Sequence, residues 1–279
     1  MAYIDPAQPG PGTVDTLAVD LRALGVASGS TLVVHSSLSA LGYVTGGAHA
    51  VVLALRDVLG PDGTLVVPTH SSSLSDPGRW ENPPVPETWW PVIRESMPAF
   101  DPALTPTGGM GAVVEVVRHL PGALRSAHPV DSFCAVGPNA VFVTSHHGLA
   151  NGLGEESPLA RLYDLGADVL LLGVGHANNT SLHLGEFRSH IRPTVTEGAP
   201  VLVDGRRAWV TYPVPDWDSS DFEEVGAAAA AAGLERSDRV AHGQARLLDV
   251  RPLVDFATAW FVDHRPRSGS PPSGDAPAA

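Results

Sequence analysis

The chain has 279 residues, of which 43% are hydrophobic, and a formal net charge of −13. All 17 basic residues are arginine, which excludes Schiff-base and pyridoxal-phosphate chemistry on a lysine amine and also excludes a Walker A phosphate loop. The acidic balance argues against a nucleic-acid partner, because such a protein needs a basic surface.

The first part of the chain predicts alternating helices and strands. Residues 1–12 are rich in proline and glycine and are expected to form a flexible arm, and residues 13–24 have the leucine spacing of a helix. Short apolar runs at residues 31–34 and 64–67 predict two strands with a helix between them. This order predicts a largely parallel sheet covered by helices.

The middle of the chain is irregular before it becomes regular again. Residues 76–106 lack periodicity, and a loop of this length is usually a lid or a substrate wall; the alternative is a surface excursion whose tryptophans pack on the core. A helix is predicted after the glycines of residues 108–111, a strand over residues 132–136 and a helix over residues 157–165. The apolar run of residues 168–174 predicts the central strand of the sheet.

The last third completes the predicted fold. Residues 201–203 and 208–212 predict an antiparallel hairpin, and residues 222–232 predict an alanine-rich helix. Residues 265–279 are of low complexity and predict a disordered tail. We therefore predict one domain over residues 13–264 with an α/β fold of three layers, in which a central, mostly parallel sheet with an antiparallel hairpin has helices on both faces.

Other features bear on compartment and metal content. No apolar run approaches 18 residues and no secretion signal begins the sequence, so we predict a cytoplasmic protein with no membrane partner. The 12 histidines form no His-Glu-x-x-His motif, and the acidic segment at residues 216–227 lacks the glycine and final glutamate of a calcium loop. We expect no bound metal. Cys134 lies in an apolar run, which favours a buried core residue over a nucleophile.

The strand at residues 168–174 leads into a polar turn and a predicted helix, where open α/β sheets bind ligands. His183 and Glu186 are three residues apart on one helical face, so the carboxylate can orient the imidazole as a general base. Asn179, four residues before His183, is predicted on the same face, and Asn178 or Asn179 is a candidate helix cap. Such pairs are also common on surfaces, so the spacing alone leaves both interpretations open.

Two further polar strand ends and one glycine-rich turn converge on the same predicted edge of the sheet. They follow residues 31–34 and 64–67 and include residues 108–111. Their hydroxyl and backbone N–H groups are able to bind phosphates, although most glycine-rich turns are only turns.

An ordered series of motifs resembles the aminoglycoside 3-N-acetyltransferase family. The series includes His35-Ser-Ser-Leu-Ser-Ala-Leu-Gly42, Gly63-Thr-Leu-Val-Val-Pro-Thr69, Trp80-Glu-Asn-Pro-Pro-Val-Pro86, Gly154-Glu-Glu-Ser-Pro-Leu159 and Leu171-Leu-Gly-Val-Gly-His176. The resemblance runs in one order from about residue 13 to residue 262. It implies an α/β fold unrelated to the general N-acetyltransferase superfamily. It also implies acetyl transfer from acetyl-CoA to the 3-amino group of a 2-deoxystreptamine aminoglycoside, which confers antibiotic resistance.

The resemblance also suggests roles for individual residues. His183 is the expected general base of a direct transfer, with Glu186 and Asn179 as its catalytic partners. Ala177 is a departure, because family members usually carry aspartate there. The expected cofactor-binding residues are His35, Ser36, Ser37, Leu38, Ser39, Thr69, Thr107, Gly108, Gly109, Met110 and Gly111. The expected substrate-binding residues are Asp76, Trp80, Glu81, Glu155, Glu156, Asp216 and Glu223.

These expectations define the partners and leave two alternatives open. Acetyl-CoA is the expected co-substrate and a cationic aminoglycoside the expected ligand of a monomer or homodimer. The same fold is also able to acetylate another small biosynthetic amine. A non-catalytic protein that sequesters a polycationic drug is the second alternative.

Overall fold

The structure, a computed structural model, describes residues 10–266. Its helices are α1 (Val14–Leu24), α2 (Gly47–Leu59), α3 (Trp90–Ser96), α4 (Ala112–Arg118), α5 (Ala140–Thr144), α6 (Pro158–Leu165), α7 (Leu182–Ser189), α8 (Phe222–Ala231) and α9 (Val250–His264). Its strands are β1 (Thr31–Ser36), β2 (Thr64–Pro68), β3 (Leu124–Arg125), β4 (Phe133–Val136), β5 (Asp168–Leu172), β6 (Thr194–Val203), β7 (Arg206–Pro215), β8 (Glu235–Val240) and β9 (Gly243–Asp249). Within residues 10–266, no helix has both the length and the apolar character needed to cross a membrane.

The main sheet has the strand order β3-β4-β2-β1-β5-β9-β8. The three central strands β2, β1 and β5 are parallel, whereas β4 and β9 run antiparallel to the strands beside them. Five of these seven strands therefore share one direction. This arrangement confirms the predicted α/β fold with a mostly parallel sheet. The antiparallel pair of β6 and β7 forms the predicted hairpin outside the sheet.

The core lies on both faces of the central strands. In β1, Leu32 and Val34 pack in one apolar cluster with α1 and α2, while Val33 packs in another with α6 and α9. All three side chains are fully buried. Alternate residues of a strand point to opposite faces, so a continuous apolar run supplies both layers of helices at once. The predicted three-layer arrangement follows from this.

Some elements extend beyond the prediction or were missed. The hairpin strands each contain ten residues. The prediction shortened them because polar residues and prolines, such as Glu197 and Pro213, interrupt their outer apolar runs although they pair in the ladder. The two-residue strand β3 and the short helices α3 and α5 are too brief to show periodicity. Helix α3 lies in the segment that was predicted to be irregular throughout.

Residues on either side of the predicted domain, 13–264, also make contacts with it. The Gly12 N–H donates to the Tyr43 carbonyl oxygen at 2.9 Å, so ordered chain precedes residue 13. Arg265, predicted to begin a disordered tail, has a nearly buried side chain that is ion-paired with Glu186 and Asp221. An arginine in a proline-rich stretch carries no local signal of burial. Residues 1–9 of the predicted arm and residues 267–279 of the predicted tail lie outside the described residues.

The packing predicts unequal costs for two leucine truncations. Leu171→Ala should lower the free energy of unfolding by about 2–5 kcal/mol, because it leaves a cavity beside fully buried neighbours in β5. Leu202→Ala in β6 removes the same atoms from a side chain that is 60% exposed, and should change the stability by less than about 0.5 kcal/mol. Urea denaturation measures both losses, and equal values would contradict the central position of β5.

Candidate active site

A cavity of about 270 Å³ lies at the carboxyl ends of the three parallel strands. His35 at the end of β1, His70 after β2 and Asn179 after β5 contribute to its wall. Met110 and Phe222 line it from other segments. Strands that run parallel bring their carboxyl ends to one edge, and the loops that diverge there leave a crevice. The sequence prediction of a site at this edge is therefore consistent with the structure.

His183 and Glu186 of α7 are in direct contact at this cavity. His183 Nδ1 lies 2.7 Å from Glu186 Oε2, and His183 lines the cavity. Since a carboxylate only accepts, the contact favours a proton on Nδ1 and leaves the Nε2 lone pair available as a base. The His183 ring is packed against Phe222 and Trp217, with ring centroids at 4.7 and 5.3 Å. Apolar contacts of this kind hold the imidazole in one orientation.

Three groups surround the second oxygen of Glu186, whose residue is only 1% exposed. The Asp218 N–H donates to Oε1 at 3.0 Å and Arg265 Nη1 donates to it at 2.6 Å. Arg192 Nε lies 3.6 Å from the same oxygen. The sequence reasoning missed both Asp218 and Arg265 here. No local pattern connects residue 186 with a residue 79 positions later.

Asn179 lies at the cavity but not on the helix. Helix α7 begins at Leu182 with Ser181 as its N-cap, so the prediction that Asn179 shares a helical face with His183 is wrong. Asn179 Oδ1 instead accepts from the Ser181 N–H at 3.2 Å. The asparagine side chain thus accepts a hydrogen bond from a backbone N–H of its own turn, and asparagine commonly forms such a turn in place of a helix. It is fully buried and lines the cavity.

The turn between β5 and α7 is held from outside the cavity. His176 Nε2 lies 2.8 Å from Glu235 Oε2, and a Cβ on Gly226 of α8 would overlap the His176 ring. The Ala177 N–H donates to Glu223 Oε1 at 2.9 Å. Glu223 thus fixes the backbone at Ala177, the position where the resemblance led us to expect an aspartate. Its carboxylate was expected to face the substrate, and here it supports the turn.

Two further histidines of the cavity are held neutral. Burial, reinforced by the neighbouring His70, lowers the pKa of His35 to about 3. Burial likewise lowers the pKa of His70 to about 4, and nearby His183 and His128 contribute. The Nε2 atoms of His35 and His70 are buried and have no hydrogen-bond partner within the described part of the chain. Unpaired buried polar atoms are costly, so these two nitrogens are candidates to bind a ligand.

Only some of the expected cofactor-binding residues reach the cavity. His35, Ser36, Gly109 and Met110 line it. The Gly108 N–H donates to the His70 carbonyl oxygen at 2.7 Å, which joins the glycine turn to the end of β2. A Cβ on Gly111 would lie 3.8 Å from the Ser36 carbonyl oxygen, so this glycine also lies close to the end of β1.

Other expected cofactor-binding side chains are occupied elsewhere. Thr69 is fully buried, and its hydroxyl lies 3.1 Å from Ser132 Oγ and 3.2 Å from Arg125 Nε. The Thr107 hydroxyl donates to Glu115 Oε1 at 2.5 Å. The Thr69 hydroxyl therefore supports the end of β2, whereas the Thr107 hydroxyl bonds a residue of α4, and neither threonine lines the cavity.

The loop after β1 turns away in the same manner. The hydroxyls of Ser37 and Ser39 lie 3.1 Å apart, and Leu38 packs against the apolar core. Ser37 also donates its N–H to the Leu172 carbonyl oxygen at 2.9 Å. These residues fix the short 3-10 turn that follows β1, so any cofactor contact they make lies outside the cavity.

Several of the expected substrate-binding carboxylates are paired with arginine. Asp76 Oδ1 lies 2.7 Å from Arg94, and Glu155 Oε1 lies 2.7 Å from Arg188. Asp216 Oδ1 lies 3.0 Å from Arg79. The sequence placed these acids by motif and had no means of locating their partners. Glu156, whose backbone carbonyl accepts from the Gly148 N–H at 3.3 Å, has an exposed side chain.

Trp80 and Glu81 line a second, more open cavity of about 520 Å³. The Trp80 Nε1–H donates to Ser75 Oγ at 2.9 Å, which anchors the indole at the wall. The segment that was predicted to be a lid or a substrate wall lines this cavity together with Ser72, Ser73 and Ser75. Its contribution to binding stays a prediction.

Two other expectations bear on the chemistry. Within residues 10–266, no group of three or more His, Cys, Asp or Glu side chains is arranged to hold a metal ion. Burial raises the pKa of the Cys134 thiol to about 12. A thiol this weakly acidic, buried in β4, is a poor nucleophile. The structure therefore agrees with a core role for Cys134.

The fold and the cavity define an α/β enzyme in which a buried glutamate pairs with a histidine of the cavity at the edge of the sheet. A family model described as aminoglycoside 3-N-acetyltransferase matches residues 33–262. The chain therefore belongs to the aminoglycoside 3-N-acetyltransferase family, which confirms the resemblance. It is an acyltransferase of that family.

Two relatives illustrate the similarity in sequence. The chain is 44% identical to the SPbeta prophage-derived aminoglycoside N(3')-acetyltransferase-like protein YokD of Bacillus subtilis (strain 168), covering 91% of this chain and 94% of the relative. It is 37% identical to aminoglycoside N(3)-acetyltransferase VII of Streptomyces paromomycinus, covering 94% of this chain and 96% of the relative. These alignments span nearly the whole of each protein.

Two solved structures illustrate the similarity in fold. The binary complex of AAC-IIIb with CoASH has a TM-score of 0.81 at 30% identity, covering 94% of this chain and 100% of that chain. AAC-VIa bound to sisomicin has a TM-score of 0.80 at 31% identity, covering 90% of this chain and 98% of that chain. The fold is that of these acetyltransferases and not that of the general N-acetyltransferase superfamily.

The neutral state of His70 predicts a loss of stability in acid. The unfolded chain binds a proton near the ordinary pKa of 6.5, whereas the native protein resists it down to about 4. Stability from this group is therefore full above pH 6.5 and falls by about 1.4 kcal/mol per pH unit as the pH decreases between those values. In His70→Gln, the stability lost between about pH 6.5 and 5 should be about 1–2 kcal/mol smaller than in the wild type.

Urea denaturation at the two pH values measures this difference. His49→Gln is the matched control, since His49 is exposed on α2. The control should retain the wild-type pH dependence. If His70→Gln also retains it, His70 is not held neutral by burial.

Proposed function

We propose that the protein transfers an acetyl group from acetyl-CoA to the 3-amino group of a 2-deoxystreptamine aminoglycoside, with His183 as general base, and thereby confers antibiotic resistance. The observation that carries the proposal is the 2.7 Å contact between His183 Nδ1 and Glu186 Oε2 beside the cavity. The CoASH bound to AAC-IIIb and the sisomicin bound to AAC-VIa support the two substrates.

The pair of residues supplies the proton transfers of a direct reaction. His183 Nε2 takes a proton as the amine nitrogen attacks the thioester carbonyl carbon, and Glu186 stabilises the resulting imidazolium. A C–N bond forms, the C–S bond breaks, and the CoA thiolate leaves with the proton returned by His183. No acyl-enzyme is needed, in agreement with the buried Cys134.

Preorganised donors are needed for the negative charge on the carbonyl oxygen. His35 and His70 both line the same cavity, and a neutral imidazole is able to donate a hydrogen bond without adding charge. Ser36 and the Gly109-Met110 turn line the cavity, and we assign them as contacts for the thioester and pantetheine end of CoA. Asn179, buried in the wall, is retained as a catalytic partner that orients the turn before α7.

One observation favours a second candidate, the acetylation of a small amine of lower charge. The part of the chain that lines the 270 Å³ cavity contributes no carboxylate, and Asp76, Glu155 and Asp216 are already paired with arginines. A polycation gains most from free carboxylates. Among the expected substrate-binding carboxylates, Glu81 lines the second cavity, where it is placed to attract a cationic ligand.

Removal of the base should damage catalysis without damaging cofactor binding. His183→Ala should reduce kcat/KM by roughly 10²–10⁴-fold while the affinity for CoA stays near the wild-type value. Glu186→Gln should cost less, because it leaves the imidazole in place. Thiol release from acetyl-CoA measures both rates, and His49→Ala serves as an exposed control. Unchanged turnover in His183→Ala would show that another group is the base.

The substrate class is tested by a panel of amines. Aminoglycosides with a free 3-amine should release CoA from acetyl-CoA, whereas analogues that lack this amine or carry it blocked should not. Equal turnover of both sets would exclude the 3-amino assignment. Efficient turnover of a small monoamine with weak aminoglycoside turnover would favour the second candidate, and drug binding without thiol release would indicate sequestration.

A further inference from the structure

We propose that Arg265 is a positioning residue of the active site, which holds the Glu186 carboxylate in place against His183. The inference rests on the proposed function, because it assigns a task in the same proton transfer. Arg265 follows α9 and lies beyond the segment that the family model matches, which ends at residue 262.

The first argument is the geometry of Glu186. Its two oxygens have different partners. Oε2 lies 2.7 Å from His183 Nδ1, and Oε1 accepts from Arg265 Nη1 at 2.6 Å. The Arg265 contact is the shortest of those that Oε1 makes within residues 10–266. Arg265 thus opposes rotation of the carboxylate away from the imidazole.

The second argument is electrostatic. The Glu186 side chain is fully buried, and a buried charge needs a paired charge to offset the loss of its hydration. Asp218 offers only a neutral N–H, and Arg192 lies at 3.6 Å with a more exposed side chain. The Arg265 side chain is 7% exposed and in direct contact with Glu186, so its attraction is less screened by water than that of Arg192.

The third argument is that Arg265 is itself firmly held. Its Nε and Nη2 bind the two oxygens of Asp221 at 2.6 and 2.5 Å, and Nη2 also donates to the Asp218 carbonyl oxygen at 2.6 Å. Its guanidinium lies 4.0 Å from the centre of the Phe261 ring. Burial disfavours the charged form, but the bonds to Asp221 and Glu186 prevail and raise the pKa of Arg265. A guanidinium, which is planar and binds carboxylates through two N–H groups, is suited to hold two carboxylates at once.

The fold explains how a residue so late in the chain reaches the site. Helix α9 packs closely on α7, since a Cβ on Gly185 would lie only 2.9 Å from the Ala257 Cβ. The last turn of α9 then passes the start of α8, where Asp221 is the N-cap. Arg265 therefore joins the helix that carries the base to two other helices.

The test compares Arg265→Ala with Arg22→Ala. Arg22 also makes a 2.7 Å ion pair, with Asp57, but on the exposed surface of α1. In Arg265→Ala, kcat of thiol release should fall roughly 10- to 100-fold while KM for acetyl-CoA changes by less than about twofold. Added guanidinium should restore much of the lost kcat, and Arg265→Lys should retain more of it than Arg265→Ala. Arg22→Ala should match the wild type throughout.

A spectroscopic arm separates this inference from the proposed function. The His183 Nδ1–H bonded to Glu186 should give a downfield proton resonance, assigned by its loss in His183→Ala. It should vanish in Arg265→Ala and return with guanidinium, even if no acetyl acceptor is found. Should Arg265→Ala fail to fold, Arg265→Gln carries the same test. Wild-type kcat and an unaltered resonance, or losses that neither guanidinium nor lysine relieves, would overturn the inference.

Discussion

The buried charge of Glu186 is the constraint on which the site depends. A carboxylate with almost no exposure is stable only if each oxygen meets a donor, and the fold supplies His183, Arg265 and the Asp218 N–H. These groups come from α7, from the end of α9 and from the loop before α8. The helices on this face of the sheet are thus joined through one ionic centre as well as through apolar packing.

The direction of the strands explains why a cavity exists beside that centre. The parallel strands β2, β1 and β5 open their carboxyl ends on the same edge, and the chain after each strand must diverge to reach its next element. Polar residues that would be costly in the core are tolerated there. His35 and His70 remain neutral at this edge because their burial penalises the charged imidazole.

Part of the acidic composition serves the structure of the protein itself. The family resemblance implied a cationic ligand, and a chain of net charge −13 has many carboxylates that could bind it. Asp76, Glu155 and Asp216 are instead bound to arginines, so part of the acidity holds loops and helices together. A carboxylate without such a partner attracts a polyamine more strongly, because no arginine neutralises its charge. The total charge of the chain therefore does not by itself identify the acyl acceptor.

Local sequence determined the elements with strong periodicity and the His183–Glu186 spacing, because a strand and a helix turn are encoded within a few residues. The family motifs extended this to the fold and the reaction class. Tertiary structure alone decided that Asn179 leaves the helix, that Thr69 faces inward and that Arg265 enters the site. Each of these depends on contacts between segments far apart in the chain. The free energy of burying a charge or a hydroxyl depends on those contacts and not on the adjacent residues of the sequence.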